Sequence, residues 1–121
     1  MTIQPLVIVV DDDDDIRLSL RDFLKTRGYR VEVASDGVGA IRLLIDNEVS
    51  AIVTDYRMEL LGGNYWIRFL QRFVPEVPVF VISGFLDPDF KVPFPTFSKP
   101  FDYELLEARI HKKLAGENGD S

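Results

Sequence analysis

Short apolar runs alternate with amphipathic segments along the chain. Five runs rich in β-branched or aromatic residues predict strands, at 6–10, 31–34, 51–54, 79–82 and 96–98. After four of these runs, apolar residues recur at helical spacing and predict helices; their stripes are Ile16/Leu20/Phe23/Leu24, Val38/Ile41/Leu44/Ile45, Trp66/Ile67/Leu70 and Tyr103/Leu106/Ile110/Leu114. Strands that alternate with helices predict an α/β fold, a doubly wound parallel sheet with helices on both faces.

The stretch between Ser83 and Lys99 departs from this rhythm. It should hold a fourth helix, but it contains prolines at 88, 93 and 95. Because an interior proline costs a helix roughly 3 kcal/mol, we predict that this helix is missing or reduced to a turn. Five of the nine phenylalanines lie in or beside the stretch and are expected to cover the sheet face left bare; they are 85, 90, 94, 97 and 101.

Length and composition narrow the class of protein. A chain of 121 residues predicts a single domain over 1–121, with a core of about 5–114 and a flexible tail at 115–121. The lack of cysteine excludes disulfides and thiolate metal sites and suits a reducing, cytoplasmic compartment. No apolar run approaches the ~20 residues of a membrane span. The net charge of −6 argues against nucleic acid as a partner.

Five of the acidic residues are consecutive, Asp11 to Asp15, directly after the first strand. In open α/β sheets ligands bind outside the carboxyl ends of the strands. If the strand order is 2-1-3-4-5, Asp11 and Asp12 converge there with Asp55 at the end of the third strand. Ser83 and Lys99, which end the fourth and fifth strands, flank Asp55. Asp13 to Asp15 instead suit the capped, acidic start of a helix.

The chemistry of this set points to a cation and a phosphoryl group. Three converging carboxylates repel one another unless they share a cation, and oxygen ligands without His or Cys favour Mg²⁺ or Mn²⁺ over zinc. The Ser83 hydroxyl and the Lys99 ammonium can both donate to phosphate oxygens. The set therefore predicts phosphoryl chemistry with the central Asp55 as nucleophile.

Four short motifs, in order at strand ends, give the chain a family resemblance. They are Val9–Asp13 with Ile16 and Arg17, Thr54–Met58 with Gly63, Ile82–Gly84, and Ser98–Phe101. The chain resembles the receiver domain of bacterial two-component response regulators from Leu6 to about Leu114. The resemblance implies a flavodoxin-like sheet in the order 2-1-3-4-5, with a cis peptide bond between Lys99 and Pro100.

The resemblance also implies a function. Asp55 would accept a phosphoryl group from a phosphohistidine on a sensor histidine kinase or a histidine phosphotransfer protein. Asp11, Asp12, Asp55 and the backbone carbonyl of Arg57 would hold Mg²⁺, while Ser83 and Lys99 would contact the phosphoryl oxygens. Such a domain acts as a switch or a phosphorelay intermediate toward a downstream protein, here unknown, and is not a turnover enzyme.

Several positions depart from the family pattern. Glu59 stands where a proline is common, and Thr96 replaces the aromatic residue that usually accompanies switching. Arg57 and Phe85 occupy two positions that tune the phosphoryl lifetime, and neither is an acid or an amide. We therefore expect slow autodephosphorylation.

Three other functions fit the sequence less well. A phosphorylation-independent interaction module is compatible with Thr96 and with the missing helix, but the complete Asp/Asp/Asp/Ser/Lys set argues against it. A Mg²⁺-dependent phosphatase of the aspartyl-phosphate class would carry its nucleophile on the first strand. A flavin-binding protein of this fold would bind the flavin phosphate in the loop after the first strand, where five aspartates would repel it.

Trp66 is expected to be partly buried packing, and His111 to be exposed on the last helix.

Overall fold

Five parallel strands form one sheet in the described part of the computed structural model, which comprises residues 4–58, 60–61, 63–85 and 89–116. Glu59, the proline at 88 and the expected tail beyond 116 lie outside these residues. The sheet order is β2-β1-β3-β4-β5, which confirms the predicted doubly wound fold. The strands are β1 (Leu6–Val10), β2 (Arg30–Ala34), β3 (Ala51–Asp55), β4 (Val79–Ser83) and β5 (Thr96–Ser98).

The helices within the described residues are α1 (Asp14–Thr26), α2 (Gly37–Asp46), α3 (Gly63–Phe73) and α4 (Tyr103–Leu114). An aspartate caps three of them: Asp13, Asp36 and Asp102 each accept hydrogen bonds from backbone N–H groups of the first turn. None of these helices is long and apolar enough to span a membrane.

The two faces of the sheet carry separate cores because side chains alternate along each strand. In β1, Val7 and Val9 face the core shared with α1 and α4. Ile8 and Val10 face the core shared with α2 and α3. All five residues of β1 are buried, as expected for a central parallel strand covered on both sides.

The link from β4 to β5 is not helical in any of its described residues, 84–85 and 89–95, as the prolines predicted. Phe90 and Phe94 pack against the α2–α3 core, where a helix would otherwise lie.

The other three phenylalanines do not cover this face of the sheet, so the expectation for them was wrong. Phe97 and Phe101 pack on the opposite face with α1 and α4, because β5 alternation and the chain after it turn them there. Phe85 is 57% exposed.

Two further packing expectations need correction. In α2, Ile41 and Leu44 pack against the core as predicted, but Val38 and Ile45 are 50% and 76% exposed, and the buried residues are the small Gly37 and Ala40. Position 37 requires glycine, because a Cβ atom there would lie 2.3 Å from the Leu61 carbonyl oxygen. Trp66 is fully buried rather than partly buried.

The burial of Trp66 depends on a polar partner for its indole N–H group. Its indole Nε1 donates a hydrogen bond of 2.8 Å to the hydroxyl of Thr54, which in turn donates to the Asp55 carbonyl oxygen at 2.9 Å. Thr54 is itself fully buried in β3. This chain of bonds links α3 to the end of the strand that carries Asp55.

We predict that Thr54→Val lowers the free energy of unfolding by about 1–3 kcal/mol, because it leaves a buried indole N–H without an acceptor. Urea denaturation measures the change. The matched control is Thr26→Val, which removes an exposed hydroxyl at the end of α1 and should change stability by less than about 0.5 kcal/mol. Equal effects of the two substitutions would contradict the role given to the buried bond.

Candidate functional site

The carboxyl ends of the strands bring the predicted acidic residues together. Val10 of β1 pairs with Thr54 of β3, so the residues that follow, Asp11 and Asp55, lie side by side at the carboxyl ends of the two strands. Carboxylate oxygens of Asp11, Asp12 and Asp55 all lie within 4.8 Å of one another. Asp11 is fully buried and Asp55 is 5% exposed, whereas Asp12 faces solvent.

Lys99 supplies the positive charge at this cluster. Its Nζ lies 2.8 Å from Asp11 Oδ2 and 3.2 Å from Asp55 Oδ2. The backbone directs the side chain there: the Lys99 N–H donates to the Ser83 carbonyl oxygen at 2.8 Å. The following peptide bond, Lys99–Pro100, is cis, as the family resemblance implied.

Burial and neighbouring charges shift the pKa values of Asp55 and Lys99. Burial, and then the neighbouring Asp11 carboxylate, raise the pKa of Asp55 from 3.8 to about 6, although Lys99 opposes this change. Burial alone would lower the pKa of Lys99, but the Asp11 and Asp55 carboxylates outweigh it and raise that pKa above its ordinary value. At neutral pH Asp55 is therefore mainly ionised.

The donor set fits a hard divalent cation. Asp11 Oδ1 accepts a hydrogen bond from the Asp13 N–H at 2.9 Å. Asp11 Oδ2 is buried and, among the described residues, accepts no hydrogen bond of good geometry, despite its short distance to Lys99. A buried carboxylate oxygen in this condition retains capacity for a cation. With Asp12 and Asp55 beside it, the oxygen-only set suits Mg²⁺ or Mn²⁺.

The rest of the acidic run divides as expected. Asp13 caps α1 through hydrogen bonds from the N–H groups of Asp15 and Ile16. Asp14 forms an ion pair with Arg17 at 2.6 Å. Sequence reasoning assigned no role to Arg17, yet its guanidinium also donates to the Asp11 carbonyl oxygen at 2.8 Å. An arginine one turn into the helix was the available signal, because helical side chains lean toward the N-terminus.

The opposite rim of the site is formed by Ser83 and its neighbours. The Ser83 hydroxyl donates to the Phe85 carbonyl oxygen at 2.6 Å and accepts from the Phe85 N–H at 3.0 Å. The Arg57 guanidinium lies 4.4 Å from the centroid of the Phe85 ring, a cation–π contact that joins the segments after β3 and β4. Thr96 is exposed, and its hydroxyl donates to the Phe94 carbonyl oxygen at 3.0 Å.

Comparison with known families agrees with this geometry. The model of the response regulator receiver domain matches residues 7–111. The chain therefore belongs to that family, the receiver domains of two-component response regulators.

Individual relatives and solved structures support the same assignment. The chain is similar to the response regulator MprA of Mycobacterium sp. (strain KMS), with 40% identity over 78 residues, 64% of this chain and 34% of that protein. It is also similar to the sensor histidine kinase TmoS of Ectopseudomonas mendocina, with 32% identity over 94% of this chain and 13% of that protein. The chain thus spans about a third of the length of MprA.

Among solved structures, the receiver domain of the Francisella response regulator 1452 superposes with a TM-score of 0.84 and 26% identity, covering 95% of this chain and all of that one. A CheY-like receiver domain from Methanospirillum hungatei JF-1 gives a TM-score of 0.86 at 18% identity, covering 98% of this chain and 100% of that one. The latter likeness concerns the fold alone.

The raised pKa of Asp55 predicts a pH-dependent cost to stability in metal-free buffer. Because the folded state holds the proton more tightly than the unfolded state, wild-type stability should fall relative to Asp55→Asn as pH rises from about 4 to about 6, by at most about 3 kcal/mol. The difference should then level off. Urea denaturation with EDTA at several pH values measures it.

The control for this prediction is Asp46→Asn, which removes an exposed carboxylate at the end of α2. Its stability should run parallel to that of the wild type over the same pH range. A constant difference between wild type and Asp55→Asn across pH 4 to 6 would contradict the elevated pKa.

Proposed function

We propose that this chain is a phospho-accepting receiver domain in which Asp55 takes a phosphoryl group from a phosphohistidine, with Mg²⁺ as cofactor. One observation carries the proposal. The carboxylates of Asp11, Asp12 and Asp55 converge within 4.8 Å, and Asp55 is also contacted by Lys99. Family membership supports the same function.

Each residue of the site has a task in this transfer. Asp11, Asp12 and Asp55, with the Arg57 backbone carbonyl, would hold Mg²⁺, which supplies charge neutralisation for the phosphate oxygens. The ionised Asp55 carboxylate attacks phosphorus, a new P–O bond forms, and the P–N bond breaks. The electron pair of that bond remains on the imidazole nitrogen. The product is an aspartyl phosphate and a histidine restored for its next phosphorylation.

Lys99 and Ser83 are placed to receive the transferred group. Lys99 already lies 3.2 Å from Asp55, so its ammonium can follow the negative charge from the carboxylate to the phosphoryl oxygens. The Ser83 hydroxyl is bonded to the Phe85 backbone in this structure. To donate to a phosphoryl oxygen it must leave the Phe85 carbonyl oxygen, which would couple the segment after β4 to phosphorylation.

The partners follow from this chemistry. A sensor histidine kinase or a histidine phosphotransfer protein is the proposed donor, and the similarity to a protein named as a sensor histidine kinase supports that class. The phosphorylated domain would act in the cytoplasm as a switch or relay intermediate rather than as a turnover enzyme. Arg57 and Phe85 pack on each other beside the site and offer no carboxylate or amide to orient an attacking water, so we expect slow autodephosphorylation.

Incubation with acetyl phosphate and Mg²⁺, followed by intact mass measurement, tests the proposal. We predict that the wild type gains one phosphoryl group, that it gains none when EDTA removes Mg²⁺ before the incubation, and that Asp55→Asn gains none. Asp46→Asn serves as the matched control and should be modified like the wild type. An adduct that persists in Asp55→Asn would contradict the assignment of the acceptor. Failure of the wild type to form an adduct or to bind Mg²⁺ would favour the phosphorylation-independent interaction module.

A further inference from the structure

Arg17 lies beneath the acidic turn and is largely withdrawn from solvent. Its side chain is only 14% exposed although it is charged. Nη1 donates to the Asp11 carbonyl oxygen at 2.8 Å, and Nη2 lies 2.6 Å from Asp14 Oδ1. The guanidinium therefore joins the end of β1 to the first turn of α1 across the segment that carries Asp12.

The contact with Arg17 supplies a hydrogen-bond donor to the backbone of the buried residue Asp11. The Asp11 N–H donates to the Ala34 carbonyl oxygen at 3.1 Å, which continues the pairing of β1 with β2. The Asp11 carbonyl oxygen lies past the end of the ladder and needs another donor. Arg17 provides that donor, while the Asp13 N–H fixes Asp11 Oδ1 at 2.9 Å. Backbone and side chain of Asp11 are thus both held.

Asp12 lies between these fixed points but has no comparable support of its own. It is exposed, and its carboxylate accepts no hydrogen bond from the part of the chain that the structure describes. The turn that carries this carboxylate is contacted by Arg17 at both of its ends, at the Asp11 carbonyl oxygen and at the Asp14 carboxylate.

We propose that Arg17 is a positioning residue for the cation site, holding Asp11 and Asp12 at ligand distance through its two-pronged contact with the turn. This inference rests on the proposed function, since it assumes that the carboxylates bind Mg²⁺. Two roles of Arg17 predict opposite results. As a nearby positive charge it would oppose Mg²⁺ binding, so its removal would strengthen binding. As a positioning group its removal weakens binding, because the turn must be ordered again when the ion binds.

The experiment compares Arg17→Met, which keeps side-chain length without charge, with Arg17→Lys, which keeps the charge and loses the planar fork. Calorimetric titration with MgCl₂ measures the affinity of each folded protein. We expect both variants to bind Mg²⁺ at least about 10-fold more weakly than the wild type, as is typical when a group that supports metal ligands is lost. Arg21→Met is the matched control: Arg21 pairs with the exposed Asp22 on the same helix, and its loss should leave the affinity within about twofold.

A second readout needs no metal. Amide exchange of the Asp13 N–H in metal-free protein reports whether the turn is held, and we expect faster exchange in both Arg17 variants while exchange in the strands stays unchanged. The inference is overturned if Arg17→Met binds Mg²⁺ as tightly as the wild type or more tightly, or if Arg17→Lys retains wild-type affinity and Asp13 protection. Absence of Mg²⁺ binding by the wild type itself would be a different failure, that of the cation site in the proposed function, and would remove the basis of this inference with it.

Discussion

The ion pairs of Lys99 with Asp11 and Asp55 are the interaction on which the site depends. A parallel sheet places the ends of neighbouring strands at one edge, and here two of those ends carry buried carboxylates. Such charges repel strongly in surroundings that screen them less than water. Lys99, at 2.8 and 3.2 Å, offsets this repulsion. Because Lys99 follows the edge strand β5, these ion pairs also connect the end of that strand to the ends of β1 and β3.

The positive charge of Lys99 compensates only part of the negative charge of the carboxylates. The uncompensated negative charge determines the chemistry of the site. The pKa of Asp55 is about 6 despite the neighbouring ammonium, so ionised Asp55 is held at a cost to the folded state. Asp11 Oδ2 lies buried without a well-aligned hydrogen bond in the described structure. A site that lacks positive charge in this way favours an added cation, and with it a group that carries negative oxygens. The cost to stability therefore falls on the residue that we propose as the phosphoryl acceptor.

Much of this arrangement follows from local sequence, and the remainder does not. The strands, the acidic start of α1 and the acidic or basic residues at strand ends depend on short-range pattern, and they lie where the sequence predicted. The inward face of α2 was predicted only in part: Ile41 and Leu44 pack on the core, but the burial of Gly37 depends on its contact with Leu61, which comes from a distant loop. The full burial of Trp66 depends in the same way on the hydroxyl of Thr54. Arg17 was visible within a motif, but its target, a backbone carbonyl, has no sequence signature.

The packing of the aromatic residues after β4 could likewise be predicted only in part from local sequence. Three prolines predicted the loss of a helix, and the described part of this segment is not helical. Which face each phenylalanine covers depended on chain path: Phe90 and Phe94 substitute for the helix, whereas Phe97 follows the alternation of β5 to the other core. Phe85 stays exposed and meets Arg57 instead. The described residues of this segment are therefore held by side-chain contacts in place of helical packing.

If the strand-end carboxylates form a cation site adjacent to Asp55, a crystal structure determined with Mn²⁺ will show the ion there by anomalous scattering. We expect one strong anomalous peak among Asp11, Asp12 and Asp55, roughly 2.0–2.3 Å from at least two of their oxygens. A fully occupied ion elsewhere on the protein, with Lys99 still closing an empty cluster at saturating Mn²⁺, would contradict it.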